Sequence, residues 1–219
     1  LIAYSQSGRS QYVSLGLPPE RIFVAPNAVA PRPTHPLPDR AAPAAPLTVL
    51  FVGRLQARKR IDLLLQACAA LPESLRPRLQ IVGDGPARAE MEALAAQVYP
   101  SAVFLGARHG AELAPIFCAT DLLVLPGTGG LAIQEAMSFG LPVIAAQGDG
   151  TQDDLVRPEN GWRVPPGDLT ALTETLTEAL SNPLRLRALG AESYRIVSTE
   201  INLQQMVAGF EQAIQFVLE

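Results

Sequence analysis

This sequence predicts an α/β fold: a parallel sheet covered by helices on both faces. Three observations predict it. Short apolar runs alternate with helix-length amphipathic stretches at about 30 residues per unit. The apolar runs are near-continuous, as in strands buried on both faces. Most of them end in polar turns rich in glycine, at the sheet edge where such folds collect their ligands.

Two short apolar pieces come first, at 2–4 and 22–24, flanking Gly16 to Pro19. Residues 26–46 are then crowded with Ala and with Pro31, Pro33, Pro36, Pro38 and Pro43, which fits an extended connector and neither helix nor central strand. After it the regular alternation begins. The run 47–52 predicts a buried strand closed by Gly53. Residues 62–71 predict a helix, with Leu63, Leu64, Ala67, Cys68 and Leu71 on one face. Strands are expected at 79–82, 103–105, 122–125, 142–145 and 162–164, and helices at 87–98, 112–119 and 131–139. Beyond Pro165-Pro166-Gly167-Asp168 the chain reads as helical. Leu169, Leu172, Leu176 and Leu180 share one face, a second helix covers about 182–197, and a third runs from 203 to 218. This last helix carries a long apolar stripe of Met206, Val207, Phe210, Ile214, Val217 and Leu218.

Composition excludes several function classes. With 17 basic and 21 acidic residues the net charge is −4, which argues against nucleic-acid binding. No apolar run reaches the roughly 18 residues of a membrane span. Residues 1–8 do not resemble a signal peptide, and the chain does not begin with Met, so we expect its true start upstream. Cys68 and Cys118 both fall in apolar helical patterns and read as reduced core residues of a reducing compartment. Of the 17 basic residues Lys59 is the single lysine.

Four turns carry candidate chemistry. Gly53-Arg54-Leu55 is followed by Arg58, Lys59 and Arg60, placing four basic residues within seven positions just before a helix. That spacing fits a diphosphate site, and equally a solvated basic helix start. Gly83-Asp84-Gly85-Pro86 reads on its own as an ordinary strand-to-helix turn, one that also permits close backbone approach. Pro126-Gly127-Thr128-Gly129-Gly130-Leu131 precedes a helix carrying Glu135. It matches neither the P-loop nor the dinucleotide fingerprint, but could present backbone amides to phosphate, with Glu135 accepting from a ribose diol or merely favouring the helix dipole. Gln147-Gly148-Asp149-Gly150-Thr151 is a fourth polar turn at the same edge. His35, in the connector, and His109, in a loop, read as solvent-exposed bystanders. Asp153-Asp154 is an adjacent pair and no metal-binding pattern, so no metal or other cofactor is expected.

Five segments in order resemble the nucleotide-binding half of retaining glycosyltransferases of the GT-B fold, in the large fourth sequence family. Residues 22–29, with Ala25-Pro26-Asn27, resemble the family's hinge segment. Phe51-Val52-Gly53-Arg54-Leu55 with Lys59 and Asp62 resembles F-V-G-R-L-x-x-x-K-G-x-D. Ile81-Val82-Gly83-Asp84-Gly85-Pro86 matches I-V-G-D-G-P, residues 126–140 resemble E-G-F-G-L-x-x-x-E-A-M-A-x-G, and residues 160–168 resemble N-G-x-L-V-x-P-G-D. The resemblance implies a Rossmann-like sheet forming the C-terminal half of a GT-B fold. Residues 1–46 would be the end of the acceptor domain, the hinge and the connector; residues 47–219 would be the donor-binding domain with its terminal helices.

It also implies a nucleotide diphosphosugar donor. Arg54 and Lys59 would contact the diphosphate as catalytic groups, without a protein nucleophile. Gly53, Gly83, Asp84, Gly85, Gly127, Thr128, Gly129, Gly130 and Leu131 would bind substrate, and Glu135 would take the ribose hydroxyls. The acceptor half would lie upstream, and the protein would be cytoplasmic, with peripheral association at the inner face of the membrane through that half. Bacterial polysaccharide or lipopolysaccharide assembly is the implied setting. Two departures stand out: the family's first glutamate, eight residues before Glu135, is Gly127, and the glycine after its lysine is Arg60. Loss of that glutamate leaves open a non-catalytic module that binds a nucleotide or a partner, and a nucleotide-sugar epimerase of similar fold is a further alternative.

Overall fold

The computed structural model describes residues 1–39, 45–127, 132–148 and 151–218. Its main sheet has six strands: β3 (Thr48–Val52), β4 (Arg78–Val82), β5 (Val103–Gly106), β6 (Leu122–Leu125), β7 (Val143–Ala146) and β8 (Gly161–Val164). All pairings are parallel and the order is β5-β4-β3-β6-β7-β8. The chain builds outward from β3 to β5, then returns to place β6 on the other side of β3. That reversal makes the β3–β6 boundary a topological switch point, where the loops after the two strands diverge and open a crevice.

Both faces of the sheet are covered, so strand residues of either parity are buried. Val49, Leu50 and Phe51 are fully inaccessible, as are Leu122, Leu123, Val124, Val143, Ile144 and Ala145. On one side α2 (Ile61–Ala70) packs against both α3 (Arg88–Val98) and α7 (Leu169–Ser181), and α5 (Ala132–Ser138) packs with α8 (Pro183–Thr199). Caps set these helices: Asp168 accepts from the Ala171 amide at 2.9 Å, and Asn182, ahead of Pro183, accepts from Arg185 at 3.1 Å. The parallel sheet covered on both faces is the fold class expected, with strand ends displaced by a residue at most.

Two elements escaped the sequence reading: α1 (Gln6–Ser14) and α6 (Thr151–Leu155). The first is polar and buries no residue of its own, so it lacks the stripe on which helix recognition rests. Between residues 113 and 118 lies α4 (Leu113–Cys118), and at its end Cys118 is exposed, which corrects the expectation of two core cysteines. Only Cys68 is enclosed, and burial pushes its thiol up to about 12. His35 is also not a bystander: its ring stacks on Phe139 at 4.7 Å and its carbonyl accepts from Tyr194 at 2.7 Å.

A second, two-stranded parallel sheet joins β1 (Ile2–Ala3) to β2 (Phe23–Val24). The last helix, α9 (Leu203–Leu218), packs on it through Gly209 and Ala213. A side chain at 209 would collide with the Val24 carbonyl, so glycine permits the close approach. Met206 and Phe210 are partly covered, whereas the carboxyl end of the stripe is open: Val217 is 80 % and Leu218 81 % exposed, and with Leu1, Ile2 and Ile214 they line an open depression of about 460 Å³. Exposed apolar surface of this kind associates. Light scattering on the 23.3 kDa chain should therefore give a mass above that of the monomer, restored to the monomer by Ile214→Asp with Val217→Asp. A monomeric wild type would refute this.

Candidate functional site

The site is built by three loops that meet backbone to backbone at the carboxyl edge of the main sheet. The loop after β3 runs through Gly53 and Arg54 into a single 3-10 turn, Ala57–Lys59. On one side it is held by the loop after β4: the Leu55 amide donates to the Asp84 carbonyl at 2.9 Å, and the Ala87 amide to the Leu55 carbonyl at 3.1 Å. A Cβ on Gly83 would strike the Gly53 carbonyl, and one on Gly85 the Leu55 carbonyl. On the other side Gly127, after β6, lies against the turn itself. A Cβ there would meet the Arg58 carbonyl, with Lys59 C and Cα at 2.6 and 2.7 Å. The expected glycines 53, 83, 85 and 127 are thus all at this edge, where three of them allow neighbouring backbones to touch.

This packing places the basic turn at the switch point between β3 and β6. Arg54 is exposed there and Lys59 is half-buried. Burial, then the neighbouring Arg58 charge, lowers the Lys59 ammonium below the ordinary lysine value. A cation partly withdrawn from water interacts more strongly with an arriving anion, since its field is less screened. Arg60 replaces the expected glycine by adopting the left-handed conformation, φ 53°, at a cost of about 1–2 kcal/mol. Its guanidinium turns away to pair with Asp62 at 3.1 Å, so it does not fill the loop.

Asp84 stands at the edge, but its carboxylate is engaged locally. It accepts from the Gly85 amide at 2.7 Å and from Arg88 at 3.0 Å, and these two bonds hold it below the usual carboxylate range. Glu135 lies half-buried on α5, which follows the β6 loop, and burial raises its carboxyl above the usual glutamate value. Thr128, Gly129, Gly130 and Leu131 lie outside the described residues.

Sequence reasoning missed three features. An open cavity of about 540 Å³ spreads between the loops after β3, β4 and β5, and its wall includes Arg54, Asp84, Arg108 and His109. His109 therefore faces a cavity beside the basic turn and is not merely a loop residue; only the sheet order places its loop there. Asp154, on α6, accepts from the Gln6 amide at 2.7 Å and so holds the start of α1, while Asp153 pairs with Arg163. Gln134 is buried beside Glu135 and bonds two distant segments. No spacing rule marks the Asp154 and Gln134 contacts, because each partner is more than 60 residues away.

Comparison with known proteins places this geometry. The family model Glycosyl transferases group 1 matches residues 46–182. The sulfoquinovosyl transferase SQD2 of Arabidopsis thaliana is 37 % identical over 133 residues, covering 58 % of this chain and 25 % of that protein. A GDP-mannose-dependent alpha-mannosyltransferase of Mycobacterium tuberculosis is 39 % identical over 132 residues, covering 59 % and 33 %. The chain thus spans a quarter to a third of the length of these relatives. Among solved structures, HepE of Anabaena in complex with UDP superposes with a TM-score of 0.76 at 20 % identity, over 98 % of this chain and 63 % of that one, a likeness of fold. The matched segment includes all three loops and the three helices that follow them, and the chain belongs to the group 1 glycosyltransferase family, with the α/β architecture of the GT-B C-terminal domain.

Proposed function

We propose that this chain is the donor-binding half of a two-part glycosyltransferase. In the intact enzyme it would hold a nucleotide diphosphosugar while the sugar passes to an acceptor hydroxyl with retained configuration. Residues 47–219 form the donor domain in this reading. Residues 1–46 end the acceptor half, whose remainder lies upstream and could seat the protein on a membrane. A bacterial polysaccharide or lipopolysaccharide acceptor fits the reading. The observation that carries it is the convergence of the β3, β4 and β6 loops, which brings Arg54 and Lys59 to the switch point, with Glu135 on α5, the helix that follows β6 in the chain.

Each residue has a physical task. As the anomeric bond breaks, negative charge grows on the departing diphosphate. Arg54 and Lys59 oppose it from fixed positions, and such preorganised contacts are worth several kcal/mol at the transition state. Glu135 accepts from the ribose hydroxyls, and the glycines let phosphate approach backbone amides. Titration calorimetry with UDP, GDP and their sugar conjugates tests the reading. Binding of one of these series supports it, and no binding of either at millimolar concentration overturns it.

Glu135 supplies a pH dependence with a definite sign. Its raised carboxyl takes up a proton earlier on acidification than an exposed glutamate, and then has fewer acceptor sites for a diol. Ribonucleotide affinity should fall from pH 7 to pH 5, and Glu135→Gln should flatten the fall. The diphosphate titrates in the same range, so the difference between the two proteins is the readout; identical profiles would remove Glu135 from the site. Stability carries the opposite sign. The fold disfavours the charged form, so protonation relieves a penalty and Glu135 does not promote acid unfolding.

A further inference from the structure

We propose that Gln134 is a positioning residue that couples occupancy of the donor site to the relative placement of the two sheets; this rests on the donor-binding reading above. The chain passes between the two-stranded unit and the main sheet twice: between β2 and β3, and at the corner from α8 to α9. Gln134 reaches both crossings. Its Oε1 accepts from the Val29 amide at 2.8 Å, and its Nε2 donates to the Ile201 carbonyl at 3.3 Å. The crossings are also bonded to each other, Leu203 amide to Ala30 carbonyl at 3.0 Å and Arg32 amide to Gln204 Oε1 at 2.9 Å. Asn202, buried at the corner, stiffens it by donating to the Val197 carbonyl at 3.0 Å and accepting from Gln205 at 3.0 Å.

A buried carboxamide is costly unless both its ends are satisfied, and a satisfied one is directional in a way that an aliphatic side chain is not. Here its two partners come from segments separated by over 170 residues, so it fixes both crossings to one helix. That helix is α5, where the next residue, Glu135, is the proposed ribose acceptor. A ligand drawing on Glu135 holds α5, and Gln134, one residue away on the same rigid turn, holds the crossings. Coupling requires that the Gln134 bonds exchange between made, as in this structure, and open, with a ligand biasing the two by its differential affinity.

Hydrogen exchange on the full chain, with and without UDP or GDP, tests this at the Arg32 and Leu203 amides, which lie on the crossings and not in the donor loops. Saturating nucleotide should slow their exchange by about fivefold or more, the lower range of measured couplings. Gln134→Met, of similar length, should abolish that nucleotide-dependent slowing, while affinity falls by no more than the coupling itself, again about fivefold. A purely structural role would raise exchange equally with and without nucleotide in the variant, and leave wild type indifferent to nucleotide. Should the variant fail to fold, the wild-type response still decides. Nucleotide binding without slowing at either amide overturns the coupling alone. Absence of binding overturns the donor-site reading and the coupling with it.

Discussion

Gly127→Glu, which writes the family's first glutamate into this chain, is expected to damage the protein rather than improve it. The Cβ of any residue at 127 would enter the backbone of Arg58 and Lys59, atoms that are neither a side-chain tip nor free to rotate. Relief requires the basic turn to lift from the β6 loop. Overpacking of this kind costs about 1–3 kcal/mol for small additions, and a buried carboxylate adds to it. We expect Gly127→Ala to lower the unfolding free energy, read from urea denaturation, by that amount. Gly127→Glu should lose more, together with at least about a tenfold loss of nucleoside diphosphate affinity as Lys59 is displaced, equivalent to 1.4 kcal/mol. A Gly127→Glu protein with the wild-type midpoint and affinity would show that the backbones do not meet there. The departure at 127 is therefore part of how this chain seats its basic turn, and any carboxylate that reads the sugar must come from elsewhere.

Lys59→Ala should weaken nucleoside diphosphate binding by about 1–3 kcal/mol, the range for loss of a charged hydrogen-bond partner. The argument is positional. The turn is clamped between the β4 loop and Gly127, so Lys59 has a fixed backbone, and its partly desolvated ammonium has more to gain from an anion than an exposed lysine has. Arg58→Ala, in an exposed position beside it, should cost less, since screening by water limits exposed charges. Calorimetry on both variants at two salt concentrations separates the cases. Equal losses, vanishing together at high salt, would mean that the turn acts only as a diffuse basic patch.

The sequence by itself determined the parallel α/β class, every strand of the main sheet to within a residue at its ends, and the glycine turns at one edge. It could do so because burial on both faces forces continuous apolar runs, and parallel connections force helices between them. It also marked Lys59, Arg54 and Glu135 as candidates for the proposed site, because charged residues beside glycine turns depart from local pattern. It missed α1, which is mostly polar and buries no residue, and it could not foresee what Gly127 touches. A glycine in a sequence says only that some neighbour comes close; which backbone that is depends on β6 having crossed to the far side of β3. Gln134 shows the same limit. Between Ile133 and Glu135 it reads as an ordinary polar residue on a helix. Its two bonds, to Val29 and Ile201, exist only because the connector and the α8–α9 corner pass over α5, a juxtaposition set by long-range packing and carried by no local spacing.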